Sequence, residues 1–208
     1  MPLPPDNNLR QFLLFAFALI IPFFALWTVA MGSIAMPAVG LADMILKAWF
    51  PDVVDGINFQ GGRAVLMTQF GELNGAPVPP EQSEYQLGFL INPGVLSYSL
   101  PFYATLHFAT DKDEYLGSFI IGIFVLYPLA LLGLLSLCLK DLMVNLGSLF
   151  MEQSGVPNGT FIALFYQLNV LIVPTVAPAL LWAWQSRDTA LLRGILNLRP
   201  ASPEAESG

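Results

Sequence analysis

Charge and reactive side chains are what this chain has least of. Only 11% of its 208 residues are Asp, Glu, Lys or Arg, where soluble domains carry about 25%. It holds one cysteine, Cys138, and one histidine, His107. A lone thiol excludes an internal disulfide and any zinc or iron–sulfur site needing several thiolates from this chain. A lone imidazole excludes a His-rich metal site. The net charge of −7 has the wrong sign for a nucleic-acid-binding face or a polybasic patch for anionic lipid. No internal repeat is visible, and no charge lies well inside any long apolar run. No cofactor is expected, and nucleic acid is not an expected partner.

Apolar residues are what it has instead, at 55%. One soluble core cannot hide that surplus, so the lipid bilayer is the expected solvent for much of the chain. After a polar, proline-rich arm at 1–9, read as disordered, Arg10 leads into an apolar run over about 12–31. This is long enough to span, since about 20 apolar residues cross a bilayer. A cleavable signal peptide is the rival reading, but the run exceeds the roughly 7–15 residues of a signal core. Further spans are expected at about 94–110, 116–139 and 161–184. The segment 140–158 reads as an amphipathic connection, and the tail from Arg187 as disordered. Ser118 and Gly122 are four apart, as small residues are in close helix–helix contacts.

Residues 33–92 are the part that looks extracytoplasmic. Within 33–50, Leu41, Met44, Ile45, Ala48 and Trp49 recur at helical spacing with Asp43 and Lys47 off that face. That pattern predicts a helix in the membrane interface, or one packed on the extramembrane segment. Residues 57–70 are strand-like, broken by Gly61 and Gly62. Tyr85, Leu87, Phe89 and Ile91 alternate with Gln86, Gly88 and Leu90, which is strand periodicity. Residues 71–80 read as a loop. A two- or three-stranded antiparallel element is expected, leaning on the membrane helices or on another protein.

The stretch at 92–109 organises the rest. Asn92 is a candidate N-cap, with Pro93 at the first helical position. Pro101 should kink the helix, and Ser97 and Ser99 can satisfy the freed carbonyls. Asp111, Lys112, Asp113 and Glu114 form a polar turn. The ends and this turn hold Arg10, Lys112, Arg187, Arg193 and Arg199, against Lys47, Arg63 and Lys140 in the other loops. By the positive-inside rule both termini are cytoplasmic and the β element faces outward.

The chemistry-bearing candidates are few. A cysteine peptidase would need Cys138 beside His107, and the expected topology puts them at opposite ends of their spans. Cys138 reads as a packing residue, and His107 as a helix-interface hydrogen bonder or a proton relay. Gln167 and Asn169 read as interhelical hydrogen bonders or as part of a transport path. Asn158 opens an Asn-Gly-Thr glycosylation pattern. Prolines recur in every span: Pro22, Pro101, Pro128, Pro174 and Pro178.

Two segments carry a resemblance. Ile91-Asn92-Pro93 followed by Ser97-Tyr98-Ser99-Leu100-Pro101 is similar to the "NP…YS.GLP" run of exosortase H-associated membrane proteins, without the glycine expected between Ser99 and Leu100. Tyr166-Gln167-Leu168 with Pro174, Pro178 and Trp182 resembles their last span. The resemblance implies a companion of an exosortase, a polytopic bacterial enzyme that processes carboxy-terminal sorting signals and carries its own catalytic cysteine.

The sequence therefore predicts a single all-α polytopic membrane domain over 1–208. It has four transmembrane helices, an interfacial helix and a small extracytoplasmic β element. Its expected place is the bacterial cytoplasmic (inner) membrane, with an exosortase-like membrane enzyme as partner. The expected function is a non-catalytic accessory role in envelope protein sorting. A small transporter or channel is the alternative, and a membrane-embedded enzyme the second. Expected partner or helix-interface residues are Asn92, Pro93, Ser97, Tyr98, Pro101, His107, Gln167, Asn169, Pro174 and Pro178.

Overall fold

The computed structural model describes residues 5–60, 63–83, 85–112 and 115–195. The first four residues, Gly61, Gly62, Glu84, Asp113, Glu114 and the tail from 196, with Arg199, lie outside the described residues. Among the described residues, three helices are long and apolar enough to cross a membrane, and a small antiparallel sheet stands at one end of them.

The first helix corrects the sequence reading. Helix α1 runs unbroken over Pro5–Trp49, where a span at 12–31 and a separate interfacial helix at 33–50 were expected. At about 1.5 Å per residue it is roughly 68 Å long, more than twice the ~30 Å hydrocarbon thickness. Its N-terminal turns also replace the disordered arm from Pro5 onward. Packing explains why Pro37 does not stop it. Val39, Ala42, Leu46 and the following Phe50 are buried in the main core, and burial of one face outweighs local propensity. The apolar stripe read from the sequence, Leu41, Met44, Ile45, Ala48 and Trp49, is the exposed face.

Asp43, off that stripe, holds the sheet. Its Oδ1 accepts from the Ile57 N–H at 2.7 Å, and its Oδ2 lies 3.2 Å from Lys47 Nζ. Asp43→Ala leaves that partly buried amide without its acceptor, an expected loss of about 1–3 kcal/mol. Faster amide exchange at Ile57 and its strand neighbours, with the helices unchanged, is the expected readout.

The sheet has four strands rather than two or three: β1 (Val54–Gln60), β2 (Arg63–Leu73), β3 (Ala76–Val78) and β4 (Gln86–Ile91). Strand β2 is the spine. It pairs antiparallel with β1 and with β4, and Ala64, Val65, Leu66 and Met67 face partners in both, so those two strands take opposite edges. Strand β3 falls inside the expected loop. Asn74 and Gly75, at φ 54° and 80°, make the two-residue turn that sends the chain back onto Gly71, Glu72 and Leu73. Ser83 ties this end together. Its hydroxyl oxygen lies 3.2 Å from the Glu72 amide and 3.1 Å from the Tyr85 amide, accepting from both. One sheet face, with Ala64, Leu66, Phe70 and Ile91, packs on α1 and on the end of α4 (Tyr115–Leu146).

The chain then turns back along α1. Helices α2 (Gly94–Ser97) and α3 (Ser99–Ala109) run from Ser97, bonded to Trp27, to Ala109, packed on Phe12. The single span expected at 94–110 is thus two short helices. Eleven-residue α3 is only about 16 Å long. Helix α4 carries the chain past the sheet again, extending beyond the expected end at 139. After α5 (Ser148–Met151) come α6 (Gly159–Tyr166), a π-helical stretch (Gln167–Ile172) and α7 (Val173–Gln185). Asn158 caps α6, its Oδ1 accepting from the Phe161 N–H at 2.8 Å. The expected disordered tail begins instead with α8 (Ala190–Ile195), whose Leu191 packs with Phe12 and Ala109. Phe12, the turn after α3, and α8 therefore gather at one end, and the sheet stands at the other.

Candidate functional site

The expected site residues fall into two groups along the bundle. At the sheet-side entrance to α2, the Asn92 Oδ1 accepts from the Gly94 N–H at 3.1 Å, and Pro93 is buried. The buried Ser97 hydroxyl accepts from the Trp27 indole N–H at 3.0 Å and donates to the Gly94 carbonyl at 3.1 Å. Tyr98 and Thr175 share a hydroxyl–hydroxyl bond of 2.9 Å. Pro101 is buried, and its carbonyl accepts from Thr105 Oγ1 at 2.8 Å.

His107 belongs to a second network at the other end. It is fully buried. Its Nε2 is 2.8 Å from the Tyr115 carbonyl, which can only accept, so Nε2 carries the proton. Nδ1 is then an acceptor, 3.3 Å from the Lys112 ammonium. Burial lowers the Lys112 pKa. One helical turn earlier, Tyr103 donates to Gln185 Oε1 at 2.6 Å, and the Gln185 amide donates to the Ser118 carbonyl at 2.9 Å. The Trp182 indole N–H donates to Thr110 Oγ1 at 2.7 Å. Helices α3, α4 and α7 are thereby cross-linked through polar atoms.

Gln167 and Asn169 lie in the π-helical stretch. Gln167 is exposed and Asn169 is buried. Asn169 Nδ2 donates to the Phe165 carbonyl of its own helix at 2.9 Å. Pro174, which lacks an N–H, is buried just beyond this widening, as is Pro178. Gln167 is about 27 Å of helix from Gln185, so Gln167 and Asn169 stand well apart from the His107 network. Cys138 is equally remote. It is fully buried among Val39, Leu142 and Ile162. It stands about 34 Å along α4 from Tyr115, the residue that holds His107, so the two make no dyad within the chain.

These contacts cross-link the helices. Among the described residues, no group of His, Cys, Asp or Glu is arranged to hold a metal ion. A family model described as exosortase H-associated membrane protein matches residues 6–189. The chain belongs to that family. No curated protein and no solved structure matches it.

The matched region runs from the first turn of α1 to the residue before α8. In this exosortase H-associated protein, the two segments that carried the resemblance meet through the Tyr98–Thr175 bond. Sequence reasoning missed Tyr103, Gln185, Thr110 and Trp27, and read Trp182 only as part of the resemblance. An available signal was Gly122 at four residues from Ser118. A Cβ there would overlap the Tyr103 ring and hydroxyl, so the small pair marks where α3 presses on α4.

Proposed function

We propose that this protein is a non-catalytic accessory subunit of an exosortase-type membrane enzyme in an envelope protein-sorting system. It would sit in the bacterial cytoplasmic membrane with four passes, counting α2 and α3 as one. Both termini would lie in the cytoplasm and the sheet in the periplasm. The family match over residues 6–189 carries this reading. The charge distribution supports the orientation. Arg10, Lys112, Arg187 and Arg193 gather at the end away from the sheet, the end expected to remain inside. The separation of Cys138 from His107 supports the non-catalytic part, because a cysteine nucleophile needs its base within hydrogen-bond reach.

Helix α3 turns Pro101, Tyr103 and His107 inward, so partner contact is left to outward-facing groups. The exposed Met44, Ile45 and Trp49 of α1 and Leu90 of β4 are among the apolar ones at the sheet end. The test is a tagged pull-down of the full chain from its native membrane in mild detergent. An exosortase-type enzyme should co-purify in stoichiometric amount. Ile45→Arg combined with Leu90→Arg should reduce its recovery about tenfold or more, the loss expected of an interface hot spot. Recovery of the protein alone, as a discrete homo-oligomer, would overturn the accessory assignment. Full recovery with the double variant would overturn the contact surface.

A further inference from the structure

Two cavities meet at the ring of Phe108. The first is a groove of about 830 Å3 between α1 and α4, with α3 as its floor. Phe23, Trp27 and Phe124 stand along its walls, and Leu100, Pro101 and Ala104 form the floor. The Tyr127 hydroxyl donates to the Ile34 carbonyl at 3.2 Å, bridging α4 to α1 beside the groove. The second cavity, of about 510 Å3, opens at the terminus end among Phe12, Phe15, Phe108, Tyr115 and Asp111. Phe108 lines both. Its ring stacks on Phe23 at 5.6 Å and on Tyr115 at 6.2 Å.

The carboxylate at the mouth is left without a cation. Asp111 is exposed, accepts from the Tyr115 hydroxyl at 3.3 Å, and makes no ion pair among the described residues. Its neighbour Lys112 does not serve it, because the Lys112 ammonium is turned to His107 Nδ1. An apolar groove thus leads to a mouth holding one carboxylate and several aromatic faces. Aromatic faces attract cations, ammonium ions among them.

We propose that this groove binds a phospholipid with a primary-ammonium headgroup. Its acyl chain would lie between α1 and α4 over Ala104. Its ammonium would pair with Asp111 against the rings of Phe15, Phe108 and Tyr115. The depth is consistent: Gln11, Asp111 and Thr189 line the same mouth, where α1, α3 and α8 reach the end of the bundle. The phosphate is common to both kinds of headgroup, so the ammonium, which a phosphatidylglycerol lacks, is what Asp111 would distinguish. The proposal does not depend on the identity of any protein partner.

The full chain, purified in mild detergent, is exchanged with an equimolar mixture of phosphatidylethanolamine and phosphatidylglycerol, and the retained lipids are counted by native mass spectrometry. Phosphatidylethanolamine should be retained about fivefold over phosphatidylglycerol, the scale of one exposed ion pair plus one cation–π contact. Asp111→Asn, at an exposed position, should bring that ratio to about one with the melting temperature unchanged. Ala30→Phe, which fills the groove wall, should lower retention of both lipids. Equal retention by the wild-type chain, an undiminished ratio in Asp111→Asn, or retention indifferent to Ala30→Phe would each overturn the proposal.

Discussion

Gly122→Leu should leave no folded, monodisperse protein in detergent. The Tyr103 ring lies where a side chain at 122 would begin. Tyr103 is fully buried, stacks on Phe119 at 5.7 Å, and is held through its hydroxyl by Gln185. It has nowhere to move without breaking the α3–α4–α7 cross-link. Overpacking by a single methyl typically costs about 1–3 kcal/mol. The leucine adds a branched chain to that, and the total should exceed roughly 4 kcal/mol, a large fraction of a typical stability. Gly122→Ala should already lower the melting temperature measured by intrinsic fluorescence. Adding Tyr103→Ala should recover part of that loss by making room. A Gly122→Ala protein as stable as wild type would show that the ring and the helix do not bear on each other.

Leu66→Asp should be the most damaging change in the sheet. Leu66 is fully buried on the central strand, within the core that joins β2 to α1 and α4. Truncation to alanine would cost about 2–5 kcal/mol. A carboxylate there adds the penalty of a charge with no partner. Limited proteolysis of the detergent-purified protein should cut freely within 63–91. The change should also reach the helices, because Leu46, Leu139 and Leu142 lose the surface they pack against. Exposed amides in the last turns of α4 would confirm that the sheet and the helix ends are one cooperative unit. Cleavage confined to the sheet, with α4 still protected, would contradict it.

The membrane character was legible because it is compositional: a long run such as that after Arg10 leaves little choice of solvent. Strand β4 was legible because period-two alternation is local. The fusion of 12–31 with 33–50 was not, since Gly32, Ser33 and Pro37 are helix-weakening and only long-range burial of Val39, Ala42 and Leu46 overrides them. The amphipathic reading of 41–49 found a true apolar stripe but not its surroundings. A second face of small and apolar residues was the one that packed, with Asp43 between them serving the sheet. Strand β3 was signalled by Asn74-Gly75, a strong hairpin turn, and was obscured by the prolines that follow it. The helix-interface residues Ser97, Tyr98 and His107 find their bonding partners, Trp27, Thr175, Tyr115 and Lys112, outside the elements that carry them. No periodicity announces a bond between residues 77 apart such as Tyr98 and Thr175.

The unbroken α1 also has a consequence for how the chain is made. Its far half leaves the ribosome early, with Val39, Ala42 and Leu46 apolar and uncovered. Sheet residues of the same core, such as Leu66, follow after about twenty positions, but the α4 residues Leu139 and Leu142 come nearly a hundred positions later. At roughly 5–20 residues per second, that interval is on the order of 5–20 s. For that time the part of the α1 face left to α4 must be shielded by the insertion machinery, by a chaperone, or by transient burial in lipid. Slowing translation between Ile91 and Leu134 should therefore lower the yield of folded protein more than an equal delay after Leu146.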